Sequence, residues 1–221
     1  MPNPTPTTES YVRLRRLIGV VGILLPFLCV GGAALFAGTA MQPSVSDYYQ
    51  TSMRDLLVGL LVCVGALLAT YRGYGLLDDV VTSLSGFLAV GIAVFPFDYR
   101  TIHPPSHLRV GIFQLEAVTS DRCHMVCAIG FFLLLAFNSF FLFTRTGPDI
   151  EPTPAKRRRD LVYRLCGIAM FATLALLGIT LLAIPFAEVN RLCLILYGEV
   201  VLLGAFGISW LVKGETLLRD P

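Results

Sequence analysis

Residues 17–40 read LIGVVGILLPFLCVGGAALFAGTA, a run without a single charged side chain. About 20 apolar residues are needed to cross the roughly 30 Å hydrocarbon core of a bilayer, so this stretch is long enough to span one. Backbone N–H and C=O groups in hydrocarbon need partners within the protein. The stretch shows no alternation of apolar and polar residues, so it is predicted to be a helix.

Similar apolar blocks recur along the rest of the chain. Hydrophobic residues make up 55% of it and charged residues 14%, against about 25% charged residues in soluble domains. We predict an all-α fold, a polytopic transmembrane helical bundle of six helices with both termini in the cytoplasm (N-in/C-in). The predicted helices cover residues 17–40, 53–71, 80–97, 124–143, 161–186 and 192–212, between a disordered cytoplasmic tail at 1–16 and a cytoplasmic tail at 213–221.

The distribution of positive charge predicts the orientation. Cytoplasmic loops carry an excess of Lys and Arg, and with six spans twelve of the 17 Lys and Arg residues fall on the side of the termini. A cleaved signal peptide is the alternative for the first block, because arginines precede it and small residues end it. The block exceeds the usual 7–15 residues of a signal core, so we favour a retained helix. The remaining helices keep the same orientation either way.

Polar side chains on the opposite, outer side are candidates for a pocket. Glu199 lies about two turns inside the sixth helix, and an acidic residue there costs about 2.5–3.5 kcal/mol on insertion scales. It therefore faces the bundle interior, either as a functional group or as a hydrogen-bonded carboxyl that locks two helices. Arg54 and Asp55 begin the second helix. Adjacent helical residues do not face each other, so each finds a separate partner, with structural anchoring as the alternative to function.

Histidines and cysteines of the outer region are weak candidates for a metal site. His103 and His107 have the spacing of a helical metal pair, but two prolines between them exclude a regular helix. Cys123, His124 and Cys127 lie within about one turn and offer ligands suited to zinc. No second CxxC or HxxxH motif supports them, so the sequence predicts no definite cofactor and leaves zinc as an alternative.

The inner side carries a basic cluster just before the fifth helix. Such a cluster orients the chain, and it can also attract anionic lipid headgroups by about 1 kcal/mol per residue. Its members are Lys156, Arg157, Arg158 and Arg159. Membrane lipids are thus the expected partners, whereas a net charge of +2 gives no reason to expect nucleic acid. Aromatic residues near block ends are expected to anchor the helices at the membrane interface, namely Tyr71, Tyr74, Tyr163 and Trp210.

Short motifs spread over most of the chain resemble those of a known group. They are Pro43-Ser44-Val45-Ser46-Asp47-Tyr48-Tyr49, Met53-Arg54-Asp55, Phe95-Pro96-Phe97-Asp98, His124 and Phe206-Gly207-Ile208-Ser209-Trp210. The chain resembles bacterial six-span integral membrane proteins of unknown function, loosely akin to the DRAM-like group. In that group an S-x-S-x-Y-like outer turn, an F-P-x-D end of helix three and a His opening helix four recur together. The long outer stretch at 99–122 departs from the pattern.

This resemblance implies a location in the bacterial cytoplasmic (inner) membrane but no settled activity. It suggests that several polar residues converge near the outer leaflet, namely Ser46, Asp55, Asp98, His124 and Glu199. The expected function is binding of a lipid or small solute in an outward-facing polar pocket, without enzymatic activity. A membrane-embedded, metal-dependent lipid hydrolase and a proton- or cation-coupled transporter are the alternatives. A homo-oligomer is left open.

Overall fold

The computed structural model describes residues 6–97, 109–146, 153–216 and 218, which form a bundle of helices. The predicted all-α bundle is therefore confirmed. The helices are α1 (Pro6–Ala37), α2 (Arg54–Thr70), α3 (Leu76–Val94), α4 (Ala117–Phe137), α5 (Pro154–Ala183), α6 (Phe186–Arg191) and α7 (Leu194–Lys213). A 3-10 helix (Ser46–Gln50) precedes α2, and a π-helical turn (Asn138–Leu142) extends α4. A small antiparallel hairpin, which was not predicted, pairs β1 (Arg109–Val110) with β2 (Leu115–Glu116).

In the described ranges, five helical segments have the length and apolar composition of a membrane span. They are Glu9–Ala37, Leu76–Val94, Ala117–Leu142, Pro154–Ala183 and Leu194–Lys213. Large apolar side chains also cover the outside of α5, where Leu176 is 64% and Leu182 is 91% exposed. Such a surface is unfavourable in water but suits contact with lipid. The chain thus has the helices expected of an integral membrane protein.

The long helices run between two chemically different ends of the bundle. At one end, Arg16 Nε donates to Gly214 O over 2.8 Å; at the other, Leu196 N donates to Pro43 O over 2.9 Å. Helices α1 and α7 are therefore antiparallel. We call the first the basic end, formed by residues 13–16, 71–75, 143–146, 153–163 and 210–216. We call the second the loop end, formed by residues 38–53, 95–97, 109–124 and 184–196.

An aromatic cluster fills the core near the basic end. The Trp210 ring meets Tyr71 at a centroid distance of 5.0 Å and Phe143 at 5.3 Å, both edge to face. Trp210 and Tyr71 are each 1% exposed, and Tyr163 is 3% exposed. The prediction that these three residues anchor the helices at the lipid interface is therefore wrong, because they lie on helix faces turned towards neighbouring helices. Tyr74 alone of the four is exposed.

Four helices begin earlier than the sequence predicted, namely α1, α3, α4 and α5, and α3 starts at Leu76 rather than residue 80. Helix α1 starts at Pro6, so residues 6–16 are helical rather than a disordered tail. Proline suits the first helical position, where an N–H would have no intrahelical partner. Helix α4 starts at Ala117 instead of residue 124, with polar first turns. Apolar composition identifies only the part of a helix that faces lipid or core, and it therefore misses such polar turns.

Helix α5 also begins earlier, at Pro154 rather than residue 161. Thr153 caps it, because the Thr153 hydroxyl accepts from Lys156 N over 3.1 Å and satisfies one of the free N–H groups of the first turn. The basic cluster at 156–159 consequently lies on the first turns of α5 and not in the preceding loop. Its side chains point in different directions around the helix.

Candidate functional site

The 3-10 helix at the loop end is fixed to the bundle by side-chain hydrogen bonds. The Ser44 hydroxyl donates to Asp47 Oδ2 over 2.8 Å and accepts from Asp47 N over 3.0 Å, which closes a tight turn. Val45 N donates to Glu199 Oε2 of α7 over 2.6 Å. Tyr48 is fully buried, and burial raises the pKa of its phenol, which therefore stays neutral. The segment is thus a packed part of the structure.

His124 connects the start of α4 to this segment and to α3. Its Nδ1 lies 2.8 Å from Phe95 O, and its Nε2 lies 2.9 Å from Ser46 Oγ. A carbonyl oxygen only accepts, so Nδ1 carries a hydrogen and donates it to Phe95 O, while Nε2 pairs with the Ser46 hydroxyl. The ring also packs on Phe97 at a centroid distance of 5.1 Å. Geometry therefore places a hydrogen on Nδ1 of a side chain that is 4% exposed.

The end of α3 supplies the acceptors for this arrangement. Residues 95–97 follow α3, so their carbonyls are not paired within the helix and need other donors. Three side chains from other elements donate hydrogen bonds to them. Phe95 O accepts from His124 Nδ1. Pro96 O accepts from Ser120 Oγ over 2.8 Å, and Phe97 O accepts from Gln50 Nε2 over 2.8 Å.

Ser46 lies between the two titratable residues of the predicted pocket. Besides its hydrogen bond to His124, its side chain interacts with the carboxyl group of Glu199. Ser46, His124 and Glu199 come from the 3-10 helix, α4 and α7, so the network joins three separate elements. These predicted pocket residues therefore converge, and they do so mainly through hydrogen bonds inside the protein.

Arg54 and Asp55 line a different feature, an open cleft of about 550 Å³ at the same end. The cleft lies between the first turns of α2, the end of α3 and the β1–β2 hairpin. Its polar lining residues are Tyr49, Arg54, Asp55 and Gln114, and its other lining residues are Val58, Ala93, Val94, Gly111 and Ile112. The cleft thus combines both charges with an apolar wall.

The two charged residues of the cleft differ in their surroundings. The Arg54 guanidinium lies 4.8 Å from the Tyr49 ring centroid and donates to the Tyr49 hydroxyl over 3.3 Å. Asp55 is exposed and makes no hydrogen bond or ion pair to any residue that the structure describes. Gly111 closes the hairpin side with φ +71°, and a Cβ there would lie 2.9 Å from Pro96. Only glycine fits this approach without strain.

The remaining predicted site residues either lie outside the described part of the chain or have other partners. Asp98, His103 and His107 lie outside the described residues. Within the described ranges, no three His, Cys, Asp or Glu side chains lie close enough to hold a metal ion together. Both ring nitrogens of His124 are already engaged, and the Cys127 thiol packs against Gly91. Zinc binding by Cys123, His124 and Cys127 therefore finds no support in their arrangement.

Sequence reasoning missed Ser120, Gln50 and Gln114. Each contributes through contact with backbone carbonyls or with the cleft, and no motif marks such a role. Pro96 was the available signal, because a proline after a long apolar block implies unpaired carbonyls that need donors.

No protein-family model, curated protein or solved structure matches the chain. The likeness to DRAM-like membrane proteins stays a prediction from short motifs.

Proposed function

We propose that the chain is a multi-pass protein of the bacterial inner membrane that binds a lipid or small solute in the loop-end cleft. It crosses the membrane six times, with both termini in the cytoplasm and the loop end outside. The five apolar spans and the concentration of Lys and Arg at the basic end support this arrangement.

Helix α2 decides between five and six crossings. It has 17 residues, the lower limit for a span, and at 1.5 Å per residue it covers roughly 25 Å. It starts at the loop end with Arg54 and ends at the basic end, where the Arg15 guanidinium lies 5.5 Å from the Tyr71 ring centroid. Between residues 56 and 69 its exposed side chains, such as Val62, are apolar. These features support a sixth crossing.

Cysteine labelling tests the six crossings and their orientation. In a background in which the partly or fully exposed Cys63, Cys123 and Cys127 are replaced by alanine, we expect Arg122→Cys to react with a membrane-impermeant maleimide in intact cells, because Arg122 is exposed at the loop end. Arg72→Cys, in the turn after α2, and Arg157→Cys should react only after permeabilisation. Labelling of Arg72→Cys in intact cells would show that α2 does not cross, and labelling of Arg157→Cys would reverse the whole topology.

The binding proposal depends on one observation, the pairing of opposite charges above an apolar wall in the cleft. Arg54 and Asp55 begin α2, at the level where lipid headgroups meet the helix ends, and Val58 continues the cleft one turn deeper. A volume of about 550 Å³ lies within the range of about 300–1,000 Å³ typical of small-molecule sites. An amphiphile could thus place its headgroup on the charges and its apolar part on the wall.

The charges favour a zwitterionic headgroup. Arginine matches a phosphate group with charge-assisted hydrogen bonds, and the exposed carboxylate of Asp55 has no described protein partner to displace. A phosphate and an ammonium joined by a short linker would engage both residues. Phosphatidylethanolamine has this chemistry and is a suitable probe.

Lipid retention tests this proposal. We expect purified protein to retain phosphatidylethanolamine over phosphatidylglycerol in native mass spectrometry. Asp55→Asn should abolish that preference, and Arg54→Gln should weaken retention of both lipids about tenfold, the loss typical of one charge-assisted hydrogen bond.

The controls for this test are Glu116→Gln and Arg122→Gln. Glu116→Gln removes a negative charge, as Asp55→Asn does, and Arg122→Gln removes a positive charge, as Arg54→Gln does. Glu116 and Arg122 are exposed at the loop end and do not line the cleft. Retention should be unchanged in both. Equal retention by the wild type and an Arg54→Gln/Asp55→Asn double variant would rule out the cleft as the lipid site.

A further inference from the structure

A second, smaller cavity lies at the basic end, on the opposite side of the bundle from the cleft. It measures about 100 Å³ and forms where α1, α5 and α7 meet the turn between α2 and α3. Its cationic lining residues are Arg15 of α1, Lys156 and Arg159 of α5, and Lys213 of α7. Three helices therefore direct positive charge into one small space.

Lys213 is the clearest sign that an anion is required. Its ammonium lies 4.6 Å from the Tyr74 ring centroid and 4.9 Å from that of Phe143, but it makes no hydrogen bond or ion pair to a residue in the described ranges. Arg15, Lys156 and Arg159 repel it electrostatically, and Asp78 attracts it. A cation removed from water is costly unless it is paired, and ring faces compensate only part of that cost.

Three carboxylates of the described residues lie in or near the cavity. Asp160 pairs with Lys156, and Glu215 lines the cavity. Asp78 pairs instead with Arg145 at 3.9 Å. Among the described residues, the cavity lining holds four cationic side chains and one carboxylate. This lining favours an anion such as a phosphate monoester, which carries a charge of about −1.5 to −2 at pH 7.

An unused donor points to the same ligand. Arg15 Nε is buried and has no hydrogen-bond partner among the described protein atoms. The rest of the guanidinium is held in place, because Nη1 donates to Lys213 O over 3.4 Å and the group stacks over Tyr71 at 5.5 Å. A buried N–H without a partner costs free energy that an acceptor would recover.

We propose that this cavity binds a phosphate group, with Arg15, Lys156, Arg159 and Lys213 as its ligands. Its volume is well below the roughly 300 Å³ at which sites for drug-sized molecules begin, so it suits one small oxyanion. The phosphate belongs either to the headgroup of an anionic lipid or to free inorganic phosphate.

The surface beside the cavity accommodates a lipid. Beyond Arg159, α5 presents exposed apolar side chains on successive turns, with Leu161 at 59%, Leu165 at 56% and Ile168 at 53% exposure. Acyl chains attached to a bound phosphate would lie along these residues. Phosphatidic acid, whose phosphate is a terminal monoester, is therefore the probe that combines both features.

The helical geometry of the basic cluster supplies a matched control. Lys156 and Arg159 are three residues apart on one face of α5 and line the cavity, whereas Arg157 and Arg158 are exposed and do not. Neutralising either pair removes the same charge from the same turn. A general attraction of anions to the basic end would be weakened equally by both changes.

The test measures binding of short-chain phosphatidic acid to the purified full-length chain in detergent, by microscale thermophoresis. We expect Lys156→Gln/Arg159→Gln to weaken binding at least tenfold, and Arg157→Gln/Arg158→Gln to change it less than twofold. Equal losses in the two variants would overturn the proposal, as would a wild-type protein that binds neither phosphatidic acid nor inorganic phosphate.

Competition with inorganic phosphate distinguishes the two sources. Displacement of phosphatidic acid by equimolar phosphate identifies the free anion as the ligand, whereas resistance to a large excess identifies the lipid headgroup. If Lys156→Gln/Arg159→Gln is not monodisperse in size-exclusion chromatography, Arg15→Gln replaces it with the same expected loss. Unchanged binding by a folded Arg15→Gln protein would then count against the site.

Discussion

Replacing Gly207 by leucine is expected to cause the largest loss of stability of any single change considered for this protein. Gly207 of α7 and Gly19 of α1 face each other, and a Cβ on Gly207 would lie 2.6 Å from Gly19 O. Small residues allow membrane helices to approach this closely. Because the obstacle is backbone, the side chain cannot be accommodated by a rotamer change, and the helices must separate. We expect a loss of about 3 kcal/mol, the upper end of typical overpacking costs.

Gly204→Leu is the matched control for this prediction. Gly204 lies one turn before Gly207 on the same helix, and a Cβ there has nothing within 4 Å. Thermal unfolding in detergent, followed by light scattering and intrinsic fluorescence, should give a lower midpoint for Gly207→Leu and a wild-type midpoint for Gly204→Leu. Equal midpoints for the two variants would mean that α1 and α7 do not pack through these glycines.

The helices could be predicted because the bilayer imposes a length on them. Each long apolar block corresponds to a helix, and α2 and α7 begin and end within two residues of their predicted bounds. The first turns of α4 and α5 could not be found in this way. They are polar, and their helical state depends on local features such as the Thr153 cap and on packing against α3.

Of the candidate site, only the polar side chains could be predicted from the sequence. Ser46, His124 and Glu199 were selected as polar residues near helix ends, and they do meet. The partners that hold them are backbone groups, such as Phe95 O and Val45 N. Every residue carries such groups, so the sequence does not distinguish these positions. The separate cleft around Arg54 and Asp55 likewise depends on a hairpin whose fold no apolar pattern indicated.

At the basic end, the helical arrangement of the basic cluster could not be predicted from the sequence either. In the sequence, residues 156–159 form a single basic cluster whose members cannot be distinguished. Once the run is helical, two members line a cavity with Arg15 and Lys213, and two face outwards. Arg15 and Lys213 lie at opposite ends of the sequence, so only the antiparallel packing of α1 and α7 brings them together.

His124→Ala is expected to have the second-largest effect, and to act at the loop end alone. It removes both hydrogen bonds of the imidazole and the ring that packs on Phe97. Loss of a buried partner costs about 1–3 kcal/mol for each group left unpaired. Two groups are affected, so we expect a total destabilisation of about 2 kcal/mol, at the lower end of that range. Hydrogen–deuterium exchange should accelerate in residues 44–51, while residues 210–214 at the basic end keep their protection.

Two conservative variants separate the two hydrogen bonds of His124. An asparagine amide reaches the position of Nδ1 and can still donate to Phe95 O, whereas a glutamine amide reaches the position of Nε2 and can still pair with Ser46. We expect His124→Asn to protect the end of α3 but not residues 44–51, and His124→Gln to do the reverse. If both variants and His124→Ala exchange like the wild type, the imidazole does not hold the 3-10 helix in place. In that case Tyr49, which that helix positions beside Arg54, owes its place in the cleft to the contacts of Val45 with Glu199 and of Gln50 with Phe97.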